Sequence, residues 1–101
     1  SVRDNNTTKD KAKIETKIFP NPFSDFAVIS FRNQTSEDIN IKIQLTNSLG
    51  IKIFDLYNQT LQSKESDFIE LNTLNIPTGF YFINFEIEGS TTVTEKIVII
   101  K

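Results

Sequence analysis

Apolar and polar residues alternate along much of this chain with the period of two that marks a strand half-buried in a sheet. The longest such run follows Pro77-Thr78-Gly79, where Tyr81, Ile83, Phe85 and Ile87 take one face and Phe80, Phe82, Asn84, Glu86 and Glu88 the other. The cleanest lies earlier, with Ile39, Ile41, Ile43 and Leu45 alternating against Asn40, Lys42, Gln44 and Thr46. Residues 26–31 predict a further strand whose core face is Ala27, Ile29 and Phe31. Residues 51–56 predict a return strand with Ile51 and Ile53 opposite Lys52 and Phe54. Residues 68–71 give a short strand with Ile69 and Leu71 inward, Leu74 continues that apolar thread, and residues 92–100 form the last strand.

Turn chemistry separates these runs. Ile18-Phe19-Pro20-Asn21-Pro22-Phe23 contains two prolines that cannot donate to a ladder, which suits an edge strand entering a turn continued by Ser24 and Asp25. Asn47-Ser48-Leu49-Gly50 places Asn and Gly where a tight hairpin needs them. Pro77 supplies the fixed φ of a corner that Gly79 relieves, and Glu88-Gly89-Ser90-Thr91 turns the chain into its last strand. Residues 33–38 read as a polar loop, and residues 57–67 as a longer polar connection, briefly extended at 60–62. Residues 1–16 hold seven charged side chains and only Val2, Ala12 and Ile14 as apolar members, so they read as a flexible, solvated linker before a domain at 17–101. Seven short strands at fairly even spacing predict an all-β fold, an antiparallel immunoglobulin-like β-sandwich, with a small barrel as the alternative.

Composition supports this reading and removes most chemistry. Fifteen Ile and nine Phe against six Leu and two Ala favour pleated, half-buried surfaces over helices. With no Cys and no His, disulfides, thiolate or His-based catalysis and the usual zinc sites are excluded. The formal charge of −2, with both signs interspersed, leaves no footprint for DNA, RNA or an anionic membrane surface. No apolar run approaches the ~20 residues of a transmembrane helix, and no secretory leader opens the chain. It begins at Ser1 and contains no Met, as expected of a piece of a longer precursor.

Several local patterns invite functional readings. Gly79-Phe80-Tyr81-Phe82 superficially resembles the aromatic strand of an RNA-recognition motif, but Thr78 stands at the basic position and Tyr81 at the small one. Asn5, Asn6, Asn33 and Asn58 each open an Asn-x-Thr glycosylation sequence, as expected by chance with ten Asn. Glu86 and Glu88 share a strand face, which reads as a solvated surface and not as a convergent acid pair. Nor does any loop carry the alternating ligands of a calcium site. Phe23, Phe26, Phe54, Phe80 and Phe82 all fall on outward positions and could form a partner patch.

From Ile18 to Lys101 the chain resembles the C-terminal sorting domain of the type IX secretion system, in its immunoglobulin-like type A form. The likeness rests on the order and spacing of Phe19-Pro20-Asn21-Pro22, the strand at 27–31, Ile43-Gln44-Leu45-Thr46-Asn47-Ser48-Leu49-Gly50, Leu74-Asn75-Ile76-Pro77-Thr78-Gly79-Phe80-Tyr81-Phe82 and the closing Glu95-Lys96-Ile97-Val98-Ile99-Ile100-Lys101. Asn47 stands where the family usually has Asp, and Ile51 where Lys or Arg is common. The resemblance implies a non-enzymatic signal without catalytic residues, metal or cofactor. It would direct an N-terminal cargo domain through the periplasm and across the outer membrane by the type IX translocon, to the cell surface or the medium. A sortase-like protease would remove it by cutting in or near the linker before Ile18. Recognition would fall on Pro20, Asn21, Pro22, Gly79, Phe80, Tyr81, Lys96 and Lys101. The alternative function is an adhesive or glycan-binding module of a surface protein, for which the absence of Trp is unfavourable.

Overall fold

The computed structural model describes residues 13–22, 25–87 and 92–101. Among these are seven strands, β1 (Ile14–Phe19), β2 (Phe26–Asn33), β3 (Ile39–Asn47), β4 (Lys52–Leu61), β5 (Ser66–Asn72), β6 (Gly79–Ile87) and β7 (Thr92–Ile99). They pair antiparallel into a three-stranded sheet, β1-β2-β5, and a four-stranded sheet, β4-β3-β6-β7. The two sheets share no ladder, so the fold is the sandwich and not the barrel. In the constant-type immunoglobulin arrangement the fourth strand joins the sheet of the first two; here it stays beside β3, to which a short hairpin ties it. In that hairpin Asn47 Oδ1 accepts from the N–H groups of Leu49 and Ile51, and Gly50 takes the left-handed backbone (φ 84°) that a side chain would disfavour.

The alternation seen in the sequence becomes the core. Ala27, Ile29 and Phe31 from one sheet face Ile41, Ile43, Leu45, Tyr81, Ile83, Phe85, Ile97 and Ile99 from the other, all buried. The Phe31 ring meets Tyr57 edge-on at 4.8 Å between centroids and Phe85 at 6.2 Å, bridging the sheets. Tyr57 reaches across at the open side of the sandwich, donating its hydroxyl to Asp67 Oδ2 on β5 at 2.9 Å. Burial, then the Asp67 carboxylate beside it, hold that phenol well above its ordinary range.

In five places the structure departs from the sequence reading. Ile51, read with Ile53 on the inward face of the return strand, precedes β4 and is exposed. The first strand starts at Ile14, inside the segment read as linker, and pairs with Asn33; Ile14 and Ile18 carry an inward face that the intervening Glu15 and Lys17 hid. Residues 1–12 lie outside the described residues, as do Phe23, Ser24 and residues 88–91, where the sequence predicts a turn. Residues 57–61 belong to β4 and are not a connection. Ile43 opposes Tyr57 and Gln44 opposes Asp55, which leaves Leu56 as an extra residue, and Ile53 is left over in the same way between Phe54 and Lys52. These bulges break the period of two, so Ile53, Leu56, Tyr57 and Leu61 all reach the core despite their irregular spacing.

Leu74 is 77% exposed, because a turn held by Asn72 Oδ1 on the Leu74 N–H swings it out and sends Ile76 inward instead. Asn33, read as the first residue of a loop, ends β2 wholly buried.

Candidate functional site

The residues assigned to recognition come from three distant stretches of chain, and the fold brings them to one corner, around the C-terminal half of β7. Pro20-Asn21-Pro22 leaves the end of β1 and crosses from the three-stranded sheet to the outer edge of the four-stranded one. There Asn21 Nδ2 donates to Lys96 O at 3.2 Å, and Asn21 Oδ1 accepts from Val98 N–H at 3.1 Å. On the inner side of β7 the ladder sets Gly79 opposite Ile99, Phe80 opposite Val98, Tyr81 opposite Ile97 and Phe82 opposite Lys96. Lys96 Nζ lies 4.5 Å over the Phe80 ring, a cation–π contact on the outward face of the sheet. Lys101 closes the corner, its N–H bonded to Thr78 Oγ1 at 3.0 Å and its Nζ to Leu74 O at 3.2 Å.

These residues divide by direction. Phe80, 55% exposed, and Lys96 point to solvent, with Phe82 half-buried beside them. Tyr81 points inward, and its hydroxyl donates back to Pro77 O at 2.6 Å. That is the tyrosine corner of immunoglobulin-like sandwiches, in which a Tyr early in a late strand ties down the preceding corner. Tyr81 therefore supports the site from beneath and offers no surface to a partner. Tyr81→Phe strands the Pro77 carbonyl and is expected to lower stability by about 1–3 kcal/mol with the fold retained, as read by equilibrium urea unfolding.

Three contacts at this corner have no sequence signal. Thr16 Oγ1 donates to Glu95 Oε2 at 2.9 Å across 79 residues, joining the edge strands of the two sheets. The Asn21 bonds span 75 and 77 residues and the Thr78–Lys101 bond 23, and sequence patterns report only neighbours along the chain.

The other candidate patterns resolve as follows. The five outward phenylalanines do not form one patch, since Phe26 is on β2, Phe54 on β4, Phe80 and Phe82 on β6, and Phe23 lies outside the described residues. Phe19 and Phe68 are also exposed, on the three-stranded sheet, near Phe26 and the half-buried Val28. Asn33 is buried with its amide fully engaged and cannot accept a glycan in the folded domain. Asn58 is exposed on β4, and Asn5 and Asn6 lie outside the described residues. Glu86 is exposed opposite Lys42 and Thr92, and Glu88 falls among the undescribed positions. Asp55, exposed on β4, has its carboxyl held below its usual range chiefly by the Lys52 ammonium, 3.0 Å away. Among the described residues no cluster of three or more acidic side chains could hold a metal, and no helix is long and apolar enough to cross a membrane.

The family model described as a secretion system C-terminal sorting domain matches residues 17–100. No curated protein matches the chain in sequence. Among solved structures, the chain is similar to the CARDB domain of a Pyrococcus furiosus protein in complex with di-metal ions, with a TM-score of 0.54 and 12% identity over 87% of this chain and 86% of that one. It is also similar to part of the Pseudomonas fluorescens alkylpurine DNA glycosylase AlkC bound to DNA containing an abasic site analog. That match has a TM-score of 0.49 and 13% identity, covering 94% of this chain and 33% of that one. At 12% identity the likeness to the CARDB domain concerns the fold alone.

Proposed function

Because the chain belongs to the family of type IX secretion system C-terminal sorting domains, a signal for export across the outer membrane, we propose that it carries an N-terminal cargo to the translocon and is then cut away. The match of the sorting-domain family over residues 17–100, nearly the whole sandwich, carries this reading. The gathering of Pro20, Asn21, Pro22, Phe80, Lys96 and Lys101 at one corner supports it, since a receptor needs its contacts on one surface. The translocon reads this corner after the cargo has reached the periplasm. A sortase-like protease then cuts upstream of Ile14, where a broken bond leaves β1 and its pairing with β2 intact. The cargo is left attached to the cell surface or released.

A reporter fused ahead of residues 1–101, in a host with this secretion system, tests the proposal. Export is expected to fall to the level of the reporter alone when residues 94–101 are removed. Phe80→Ala, outside the core, is expected to reduce export several-fold with the domain still folded. Equal export with and without residues 94–101 would overturn the reading.

A further inference from the structure

An outermost strand ordinarily presents a row of unpaired N–H and C=O groups. On β7 two of these, the Lys96 carbonyl and the Val98 N–H, are both taken by the single side chain of Asn21. In a parallel ladder the C=O of one residue and the N–H two residues on, both on one edge, are engaged by a single residue of the facing strand. In an antiparallel ladder one facing residue instead exchanges both bonds with a single residue. A carboxamide offers an acceptor and a donor on one side, as the C=O and N–H of a single strand residue do. Asn21 therefore fills the position of a single residue of an added parallel strand. Pro20 and Pro22 on either side have no N–H and cannot donate to the ladder.

The segment carrying Asn21 hangs from β1, itself an edge strand paired on one side with β2. Across the gap to β7, β1 is held by the bond from Thr16 to Glu95. β1 is also the strand nearest the N-terminal part of the chain. The edge it closes is flanked by two cations: Lys96 Nζ rests on the Phe80 ring and Lys101 Nζ on the Leu74 carbonyl, and neither meets a carboxylate among the described residues.

We propose that the outer edge of β7 is a strand-addition site for an extended, acidic segment of a partner polypeptide, held shut by the Asn21 carboxamide and opened when β1 draws aside. Only the partner's place in the secretion machinery rests on the sorting-domain reading; the lock and the edge rest on the hydrogen bonds themselves. The added strand takes over the Lys96 and Val98 groups and continues the ladder in both directions, with its carboxylates beside Lys96 and Lys101.

The full chain and its Asn21→Ala variant, titrated with a capped peptide of alternating valine and glutamate, provide the test. The variant loses two hydrogen bonds, so the Val98 amide is expected to exchange with solvent about tenfold faster or more. Ile97 and Ile99, whose backbone groups face β6, should keep their protection. The peptide is expected to bind the variant about tenfold more tightly than the native chain. The shifts should lie along β7, and binding should be lost when alternate peptide nitrogens are methylated. Asn21→Asp keeps the acceptor for Val98 but loses the donor to Lys96, and should fall between the two. Unchanged Val98 exchange, equal affinities, shifts on β4 or β5 instead of β7, or a dimer of the variant that excludes the peptide would each overturn the proposal. Because this is measured on the isolated chain, its failure leaves the export experiment standing, and the reverse.

Discussion

Asn33→Ala is expected to destabilise the sandwich by about 3–4 kcal/mol, the largest loss from any polar residue described. The Asn33 side chain is 0% exposed, and its bonding capacity is full. Nδ2 donates to the carbonyls of Glu37, Leu61 and Gln62 at 2.8, 3.0 and 3.1 Å, so its two hydrogens are shared among three acceptors. Oδ1 accepts from the N–H and the hydroxyl of Thr35 at 2.9 and 2.6 Å. One amide thus pins the end of β2 to the end of β4 and to the loop that follows β2, and Ser63 Oγ to Thr35 O adds a stitch beside it. Alanine leaves the buried Leu61 carbonyl and the groups in four part-buried bonds without their partner, and each group left unmet away from water costs about 1–3 kcal/mol. Asn33→Asp should be at least as damaging, because a carboxylate would face three carbonyl oxygens. Equilibrium unfolding in urea gives the number; a loss under about 1 kcal/mol would mean that water replaces the amide.

Phe31→Ala is expected to cost about 3–5 kcal/mol. The ring is buried at the centre of the inter-sheet layer, against Tyr57 and Phe85, so truncation opens a cavity that two sheets held by their own ladders cannot close. Tyr57 would lose its edge-on partner while still tied to Asp67, which hinders its collapse into the space. Phe31→Leu refills much of the volume and should cost about 1–2 kcal/mol. The same unfolding measurement checks both, and a loss below about 2 kcal/mol for Phe31→Ala would show that the core relaxes around the gap.

Where a strand keeps one register, its inward face could be read directly. The faces of β2, β3 and β6 follow from alternation, because every second side chain must enter the core and the sequence shows which of them can. β4 could not be read in this way, since each bulge adds a residue and resets the alternation, making Tyr57 and Leu61 look like stray apolar positions in a loop. Ile14 was missed for a related reason, with a single apolar residue among charges showing its role only beside Asn33 on the neighbouring strand. Asn33 looked like a loop residue because its type is common in loops. Its burial depends on carbonyls from residues 37, 61 and 62, which no local pattern brings together.

The candidate site divides in the same way. The sequence alone determined an all-β sandwich, the inward Tyr81 and outward Phe80, and through the order of its motifs the sorting-domain family. These depend on the period of two, on turn chemistry and on spacing along the chain. The tertiary structure alone decided that Pro20-Asn21-Pro22, Phe80, Lys96 and Lys101 meet at one corner, that Tyr81 braces it from below, and that Asn21 closes the edge of the last strand. Hydrogen bonds act over about 3 Å of space whatever the separation along the chain, so these partners are set by how the two sheets stack.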